Sequence, residues 1–493
     1  MFPTQFAPHL KSLGIAFLSI FFLLIACKKD SGQYFQVTIL SSEGGVVSID
    51  SGSYIEGTEL SLLATPGDNY IFSGWSDGSN SNPLTITINS NIEITANFEY
   101  YCEYASDLLD LNQSSNDLFD IIYPITPSGS YNGEMINIIG NFWQYGCVGT
   151  YIDYNNDGIR DIVGFENNFD NFVDMPEGYT GYERKQPIRF FLGDCQGNFT
   201  PDPINDNLYL GLVHGREFLF GDFNNDNYAD FFLVGHGYDK QPFPGEFLKS
   251  LISDGNGGYI ENDYTDLVAF YHSGATGDYD NDGDLDVIVI SPGGPTDLSA
   301  IYENNGGVLT ANQELVDQSL FSSMLHVELH DINNDGYLDL ILGGANERID
   351  IGENLSQIIY GDGGSFVGNE SVSLPESEIS GFGIVTDLNF YDLDDDGTDE
   401  IIITRTRDRS EADPNNFYQG WLVQVIQQNG SSFIDRTNDF IEDYYSETGN
   451  WIVWADFRDH DNDGKVEFYN TANPNTPDYL EWELSQGFLY RID

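Results

Sequence analysis

The stretch "GDYDNDGDLDVIVI", residues 277–290, decides how the rest of the chain is interpreted. Five aspartates stand at alternate positions from Asp278 to Asp286, and a run of β-branched residues follows at once. Carboxylates spaced so closely repel one another, and a protein interior does not accept them without partners. A Ca²⁺ ion, which takes roughly six to eight oxygen ligands, would relieve that repulsion. The stretch therefore predicts a calcium loop that leads directly into a strand.

The same nine-residue pattern occurs six times in the chain, each time followed by an apolar run. Positions 1, 3 and 5 carry side-chain oxygens, position 7 would offer its backbone carbonyl, and position 9 is a carboxylate. The predicted ligands of about six structural Ca²⁺ ions are Asp153, Asn155, Asp157, Ile159 and Asp161; Asp222, Asn224, Asp226, Tyr228 and Asp230; Asp278, Asp280, Asp282, Asp284 and Asp286; Asp331, Asn333, Asp335, Tyr337 and Asp339; Asp392, Asp394, Asp396, Thr398 and Glu400; and Asp459, Asp461, Asp463, Lys465 and Glu467. A merely solvated acidic turn explains one copy, but not six with the same phase.

The sixth position of each loop must turn sharply, which favours glycine. Five copies have glycine there and the second has Asn227, the next best residue for a positive φ. An EF-hand is the competing interpretation, but it requires a glutamate at position 12 and a following helix. Position 12 holds Gly164, Leu233, Val289, Leu342, Ile403 or Asn470, and a strand is predicted after every loop.

Between the loops, a second element recurs: a strand, a Gly/Asn turn and an aromatic residue, as in "LISDGNGGY". Each unit therefore predicts four antiparallel strands in about 50–70 residues, which is typical of a propeller blade. These loops and strands resemble the FG-GAP/VCBS family of calcium-loop β-propellers, which includes the integrin α-subunit head. The resemblance implies a propeller over residues 147–493 whose calcium loops join the first two strands of each blade. Residues 100–146 are either a linker or a seventh blade without a loop, so six or seven blades are expected.

The N-terminal stretch "GIAFLSIFFLLIAC", residues 14–27, is too short for a comfortable membrane span and suits a signal peptide. Its end, Leu24 to Cys27, resembles a bacterial lipobox, in which the cysteine is lipidated; an ordinary signal peptide with a chance cysteine is the alternative. The lipobox implies that residues 1–26 are removed, that Cys27 anchors the protein to a membrane, and that 27–33 is a linker. By the same resemblance, Lys28 after the cysteine implies the outer rather than the inner membrane of a bacterial cell envelope, with the protein facing outside.

Residues 34–99 show short alternating runs separated by Gly, Asn and Pro turns, a small all-β pattern. The opening Gly44-Gly45, the central "LLATPGDNYIFSGWSDG" (62–78) and the closing "ITANFE" resemble the divergent internalin-type B repeat, a β-grasp-like module of bacterial surface proteins. The fold expected for the whole chain is thus all-β, with this small module followed by the propeller.

Composition supports an extracellular β-rich protein. Asp and Glu number 80 against 18 Lys and Arg, which gives a formal net charge of −62. Nucleic acid is excluded as a partner because phosphate recognition needs a basic surface. The remaining cysteines, Cys102, Cys147 and Cys195, allow three disulfide pairings, and buried free thiols are equally compatible with the sequence.

Five of the seven histidines fall in the predicted second to fourth blades. A ligand pocket formed by His214, His236, Tyr238, Asp239 and His272 is one interpretation; strand-end histidines bonded to neighbouring carbonyls are the other. Two functions therefore stay open. The first is binding or adhesion to an extracellular glycan or protein with structural calcium, and the second is a carbohydrate-active enzyme similar to polysaccharide lyases. A lyase needs a positive group for a uronate, and the single basic cluster is Arg405, Arg407 and Arg409.

Overall fold

The structure is a computed structural model that divides into two compact units, Met1–Tyr101 and Cys102–Asp493. It describes residues 32–67, 70–100, 147–166, 186–194, 198–238, 243–292, 298–321, 323–344, 356–408, 418–452, 455–458, 465–470 and 480–492. Several predictions fall outside these residues: the signal peptide with Cys27, the segment 101–146, Cys102, Cys195, Asp239, and the first six positions of the sixth loop.

The first unit is a small all-β module. Its strands are β1 (Tyr34–Ser41), β2 (Gly45–Val47), β3 (Gly52–Ile55), β4 (Glu59–Leu62), β5 (Ala64–Pro66), β6 (Tyr70–Trp75), β7 (Leu84–Thr87) and β8 (Ile92–Tyr100). One sheet has the order β3-β1-β8-β6, with β1 and β8 parallel, and two hairpin-like pairs join β2 to β5 and β4 to β7. Trp75 is 2% exposed and its indole N–H donates to the carbonyl of Ser81, so this ring fills the core of the module.

The second unit contains six antiparallel sheets in its described residues, each built from strands consecutive in the chain. The first sheet has β9 (Cys147–Ile152), β10 (Asp161–Glu166), β11 (Arg189–Gly193) and β12 (Phe199–Pro201). The second has β13 (Gly215–Gly221), β14 (Asp230–Gly235), β15 (Glu246–Ser253) and β16 (Tyr259–Ala269). The third has β17 (Ser273–Gly277), β18 (Asp286–Ile290), β19 (Ala300–Glu303) and β20 (Thr310–Asn312).

The remaining three sheets repeat this arrangement. The fourth has β21 (Met324–His330), β22 (Asp339–Gly344), β23 (Gln357–Ile359) and β24 (Ser371–Ser373). The fifth has β25 (Ile384–Tyr391), β26 (Glu400–Thr406), β27 (Trp421–Asn429) and β28 (Ser432–Asp435), with β29 (Tyr445–Ser446) paired to β27. The sixth has β30 (Ala455–Arg458), β31 (Glu467–Asn470), β32 (Glu481–Ser485) and β33 (Phe488–Arg491). The predicted unit of four antiparallel strands is therefore confirmed.

Neighbouring sheets of the second unit share apolar cores. Phe165 of the first sheet packs with Phe218 and Phe231 of the second, and equivalent clusters fill the space between each following pair of sheets. The first strands lie side by side in chain order, β9 against β13, then β17, β21, β25 and β30. Because both faces of a sheet are covered in this way, strands such as β14 are apolar and buried along their whole length.

Helix is almost absent from the described residues, which contain α1 (Thr437–Phe440) and a 3-10 turn at Gln318–Leu320. The prediction of an all-β chain is confirmed. No helix in the described part of the chain has the length and apolar character needed to cross a membrane. Closure of the six sheets into a ring and the number of blades stay predictions, since residues 101–146 lie outside the described residues.

Candidate functional site: the acidic loops and the histidine cluster

The acidic loops connect the first strand of a sheet to the second. The third loop, for example, leaves β17 at Gly277 and enters β18 at Asp286, so its ninth residue is the first residue of the second strand. The same holds for Asp161, Asp230, Asp339, Glu400 and Glu467. Five of the loops are described in full, and they lie at the same end of their sheets because every one follows a first strand.

Hydrogen bonds to backbone N–H groups hold each described loop in a tight turn. In the third loop the Asp278 carboxylate accepts from the N–H groups of Asp282 and Gly283, each at 3.0 Å. Asp280 accepts from Asp282 at 3.2 Å, and Asp282 accepts from Asp284 at 3.0 Å. The first carboxylate of the other four makes the equivalent pair of bonds. The acidic residues therefore shape the turn as well as offering oxygen atoms.

Two residues in each described loop have a left-handed backbone. The sixth is one of them, as the sequence predicts, with φ of 95° at Gly283 and 66° at Asn227. The fourth was not predicted. It is Asn156, Asn225, Asn281, Asn334 or Asp395, each with φ between 57° and 60°. Asparagine tolerates this conformation better than most residues, so its recurrence at the fourth position was the signal in the sequence.

The ninth residue ties the loop to the third strand of its sheet. Asp286 Oδ1 accepts from the N–H of Asn304 at 2.8 Å, and Asp161 Oδ1 accepts from that of Gly193 at 2.8 Å. Asp286 is 3% exposed, and its second oxygen, Oδ2, has no hydrogen-bond partner. A buried carboxylate oxygen without a donor is costly, and a cation in the loop would satisfy it.

Burial raises the pKa of the ninth residue in each of the five loops that are described in full. The pKa of Asp161 and of Asp286 rises to about 8, and that of Asp230, Asp339 and Glu400 to about 7. Backbone hydrogen bonds oppose the shift, while the other carboxylates of the same loop add to it. The ninth carboxylate therefore lies close enough to the loop carboxylates to feel their charge, as a shared ligand set requires.

The donor atoms of the loops suit calcium. Carboxylate oxygens of Asp278, Asp280 and Asp282 lie within 4.8 Å of one another, and so do those of Asp392, Asp394 and Glu400. All are hard oxygen ligands of the kind that Ca²⁺ prefers. The Asp284 side chain is engaged elsewhere, accepting from the amide of Asn225 in the second loop and from the N–H of Gly306. The Asp284 carboxylate is thus occupied by hydrogen bonds, and the contribution of its backbone carbonyl to an ion stays a prediction.

Three of the predicted pocket histidines lie together at the opposite end of the sheets from the loops. The rings of His214 and His236 have centroids 4.2 Å apart, and His272 lies 6.2 Å from His236. Phe270, which was not predicted, stacks on His236 at 4.1 Å. Burial, with the Arg216 charge, lowers the pKa of His214 to about 3, and burial holds the pKa of His236 and His272 well below the usual range. These imidazoles are therefore neutral at pH 7.

The surroundings of the histidine cluster are largely structural. Glu246 is fully buried and accepts from the N–H groups of Val213, His214 and Gly237, which joins the two histidine-bearing segments. Tyr238 is also fully buried. Glu246 could not be predicted from the sequence, because the start of β15 meets residues 213–214 only in the folded sheet.

The two described arginines of the basic cluster, Arg405 and Arg407, each have partners within the protein. Arg405 is 1% exposed and its Nε donates to Gln424 Oε1 at 2.7 Å. Arg407 lies over the ring of Phe382 and 3.8 Å from Glu447. Arg409 is outside the described residues.

The first strands are also joined by side chains that the sequence analysis missed. Before the second, third and fifth loops, the residue five positions ahead of the loop accepts an N–H from the next first strand. Glu217 accepts from Gly274, Ser273 Oγ accepts from Val327 at 3.1 Å, and Asp387 Oδ2 accepts from Ala455 at 2.8 Å. We call these contacts the interstrand bonds. An acidic residue within an apolar strand was the signal for the Glu217 and Asp387 bonds, whereas Ser273 carried no such signal.

Comparison with known families identifies two segments of the chain. Residues 278–342 match the FG-GAP-like repeat. Residues 35–102 match the divergent InlB B-repeat domain. Both resemblances are thus confirmed over these ranges, and the FG-GAP-like repeat begins at Asp278, the first residue of the third loop. It ends in β22, after the fourth loop.

Similarity to individual proteins is low. No curated protein matches the chain. Among solved structures, the chain is similar to an Agrocybe aegerita lectin, described as specifically recognising non-reducing terminal N-acetylglucosamine. The identity is 14%, the match covers 59% of this chain and 66% of that one, and the TM-score is 0.35. A likeness at this level carries no argument for fold or ligand.

Proposed function

We propose that the second unit is a calcium-stabilised β-propeller that binds an extracellular glycan or protein. The observation that carries the calcium proposal is Asp286, whose buried Oδ2 has no hydrogen-bond donor and lies in the field of the third loop's carboxylates. The calcium ions would be structural, because the loops close the turn between two strands of one sheet and are held by its backbone. The side-by-side first strands and shared cores support a ring of sheets.

The binding role rests on the FG-GAP-like repeat and on the exposed aromatic residue beside the histidine cluster. Phe243 is 43% exposed and packs edge-on against Phe270, which in turn stacks on His236. An exposed ring on a rigid aromatic support suits the apolar face of a sugar or a protein side chain. The net charge of −62 argues against nucleic acid as the ligand.

The enzymatic alternative has less support. A lyase acting on uronates needs a cationic group at the substrate. Arg405 is enclosed, and the half-buried Arg216 is a cation whose charge reaches the neutral, largely buried histidines. We favour binding over catalysis because the net charge of −62 would repel a polyanionic glycan at long range.

Calcium dependence is the direct test of the proposal. Each loop that binds calcium only in the folded state stabilises it by about 2.7 kcal/mol when calcium is 100-fold above Kd. We expect a chelator to lower the melting temperature of the second unit strongly, measured by calorimetry. Magnesium should restore it poorly because it prefers a smaller octahedral shell. An unchanged melting curve in excess chelator, with no calcium bound in titration calorimetry, would contradict the proposal.

We further propose that the protein is anchored through lipid on Cys27 at the outer surface of a bacterial outer membrane. The lipobox-like residues 24–27 and the polar residues after them support this. Cys27→Ser should move the protein from the membrane fraction to the soluble fraction, because lipid is the proposed anchor. Cys147→Ser serves as a matched control and should stay with the membranes. A Cys27→Ser protein that still sediments with membranes would disprove the lipid anchor.

A further inference from the structure

We propose that a divalent transition-metal ion binds between the fourth and fifth sheets, held by His326, Glu328 and Asp387. This site is separate from the calcium loops and does not depend on them. His326 and Glu328 are two residues apart on β21, so their side chains point to the same face of the strand. Asp387 projects from β25, the neighbouring first strand. The three residues are 5%, 5% and 6% exposed.

The three side chains converge as ligands of one ion would. His326 Nε2 lies 2.8 Å from Glu328 Oε1 and 3.3 Å from Asp387 Oδ1, and the donor atoms all lie within 4.8 Å of one another. With metal–ligand bonds of about 2.1 Å, neighbouring ligands are about 3.0 Å apart in an octahedral shell and about 3.4 Å apart in a tetrahedral one. His326 Nε2 and Glu328 Oε1 are hydrogen-bonded in the structure, and both observed separations also fit adjacent ligands around a single ion.

Asp387 is oriented for this role by the neighbouring backbone. Its Oδ2 accepts from the N–H of Ala455 at 2.8 Å and from the amide of Asn389 at 3.2 Å, and its Oδ1 accepts from the N–H of Leu388. These bonds fix the carboxylate with Oδ1 toward His326. Metal ligands are commonly held by such surrounding hydrogen bonds.

The interstrand bonds do not account for His326. Glu217, Ser273, His326 and Asp387 all stand five positions before a loop. In three of the four, the side chain accepts an N–H from the next first strand. For His326 the corresponding donor would be Leu388 N–H, but that group donates to Asp387 instead. His326 instead faces Glu328 and Asp387, beside the charge of Arg216. A divalent cation held by the three side chains would offset the repulsion between the two buried carboxylates.

The imidazole decides which class of metal fits. Calcium and magnesium prefer oxygen ligands alone, whereas one imidazole with two carboxylates suits a divalent first-row transition metal such as Zn²⁺ or Mn²⁺. Three protein ligands also leave room for water in the remaining positions.

The experiment uses the full chain, stripped of metal and returned to buffer with millimolar calcium and one equivalent of Zn²⁺. We expect one Zn²⁺ per chain to remain after dialysis against calcium, measured by mass spectrometry of the metal. X-ray absorption at the zinc edge should show one imidazole nitrogen among oxygen ligands. Glu328→Gln, which keeps the shape of the side chain, and His326→Gln should each weaken Zn²⁺ binding by at least about tenfold.

Glu217→Gln is the matched control, because Glu217 is buried to the same degree but belongs to an interstrand bond. It should bind Zn²⁺ like the wild type. Near-ultraviolet circular dichroism in calcium identifies any variant that fails to fold. If His326→Gln does not fold, the Zn²⁺ affinity of Glu328→Gln decides the result. Loss of Zn²⁺ from the wild type in calcium would overturn the proposal, and so would retention of Zn²⁺ by Glu328→Gln. Several imidazole ligands at the zinc edge would also overturn it, because they would place the ion at the His214 and His236 pair.

Discussion

The second and third loops have the same backbone but use their ninth carboxylates differently. In the second loop, Asp230 accepts three N–H groups: Ser253 on Oδ1, and Phe223 and Asn224 on Oδ2. In the third, Asp286 accepts Asn304 on Oδ1 and leaves Oδ2 without a donor. The second loop thus satisfies its buried carboxylate from the protein itself, whereas the third leaves one carboxylate oxygen for which the proposed ion would be the partner. The same loop shape therefore occurs with and without a full set of hydrogen bonds to its ninth residue.

The third loop also carries more negative charge than the second. The third loop has aspartate at positions 1, 3, 5, 7 and 9, while the second has Asn224 at position 3 and Tyr228 at position 7. More carboxylates raise calcium affinity but also raise repulsion when no ion is bound. We therefore expect the third loop to bind calcium more tightly and the second to lose it first.

The largest expected effect that separates the loops is the pH dependence of the calcium-free protein. The pKa of Asp286 is about 8 in the folded protein because of burial, whereas an unfolded aspartate has a pKa of about 4. The folded state then binds the extra proton. Its stabilising effect is full below about pH 4 and is lost as the pH rises through about 8. Without calcium, the melting temperature should fall from pH 6 to pH 9.

Calcium should remove this dependence, because the ion takes the place of the proton. Asp286→Asn should reduce the fall in melting temperature between about pH 7 and 9. Asp230→Asn should act mainly at lower pH, because the pKa of Asp230 is about 7. Melting curves at each pH, with and without calcium, measure both. Equal stability of the calcium-free protein at pH 6 and pH 9 would show that Asp286 is not protonated in the folded, calcium-free protein. The proposed difference between the second and third loops would then be wrong.

The sequence predicted the repeat well because its information is local. Six acidic loops followed by apolar runs specify where the first two strands of each sheet meet, and the sheets follow that pattern. The partners of the ninth carboxylates could not be predicted, because Ser253 and Asn304 reach the loops only through the pairing of the third strand. For the same reason, neither the interstrand bonds nor the meeting of His326 with Asp387 could be read from spacing alone.

The next effect concerns charge at the fifth position of the two loops. Asp282→Asn removes one of five carboxylates but keeps an oxygen that can accept from the N–H of Asp284. We expect calcium affinity at the third loop to fall about tenfold, or about 1.4 kcal/mol. Without calcium the variant should be slightly more stable than the wild type, because repulsion is reduced.

Asp226→Asn in the second loop is the matched control and keeps the equivalent acceptor for Tyr228. It should change calcium-dependent stability less, because the second loop relies more on hydrogen bonds. Calorimetric titration together with melting curves compares the two variants. If Asp282→Asn were destabilised equally with and without calcium, the aspartate would serve only the turn, and the difference between the loops would not concern an ion.

The smallest effect tests whether the sixth position limits the second loop. Asn227 has φ of 66° and Gly283 has φ of 95°, and an added Cβ at Gly283 would meet no atom within 4 Å. Backbone strain alone should therefore decide the cost of substitution there. Gly283→Ala should cost about 1–2 kcal/mol, and Gly283→Asn less, because asparagine tolerates a left-handed backbone. Chemical denaturation in calcium measures both variants. Equal costs for alanine and asparagine would mean that the side-chain amide gives no advantage at this turn, and that Asn227 stands in the second loop for a reason other than its backbone conformation.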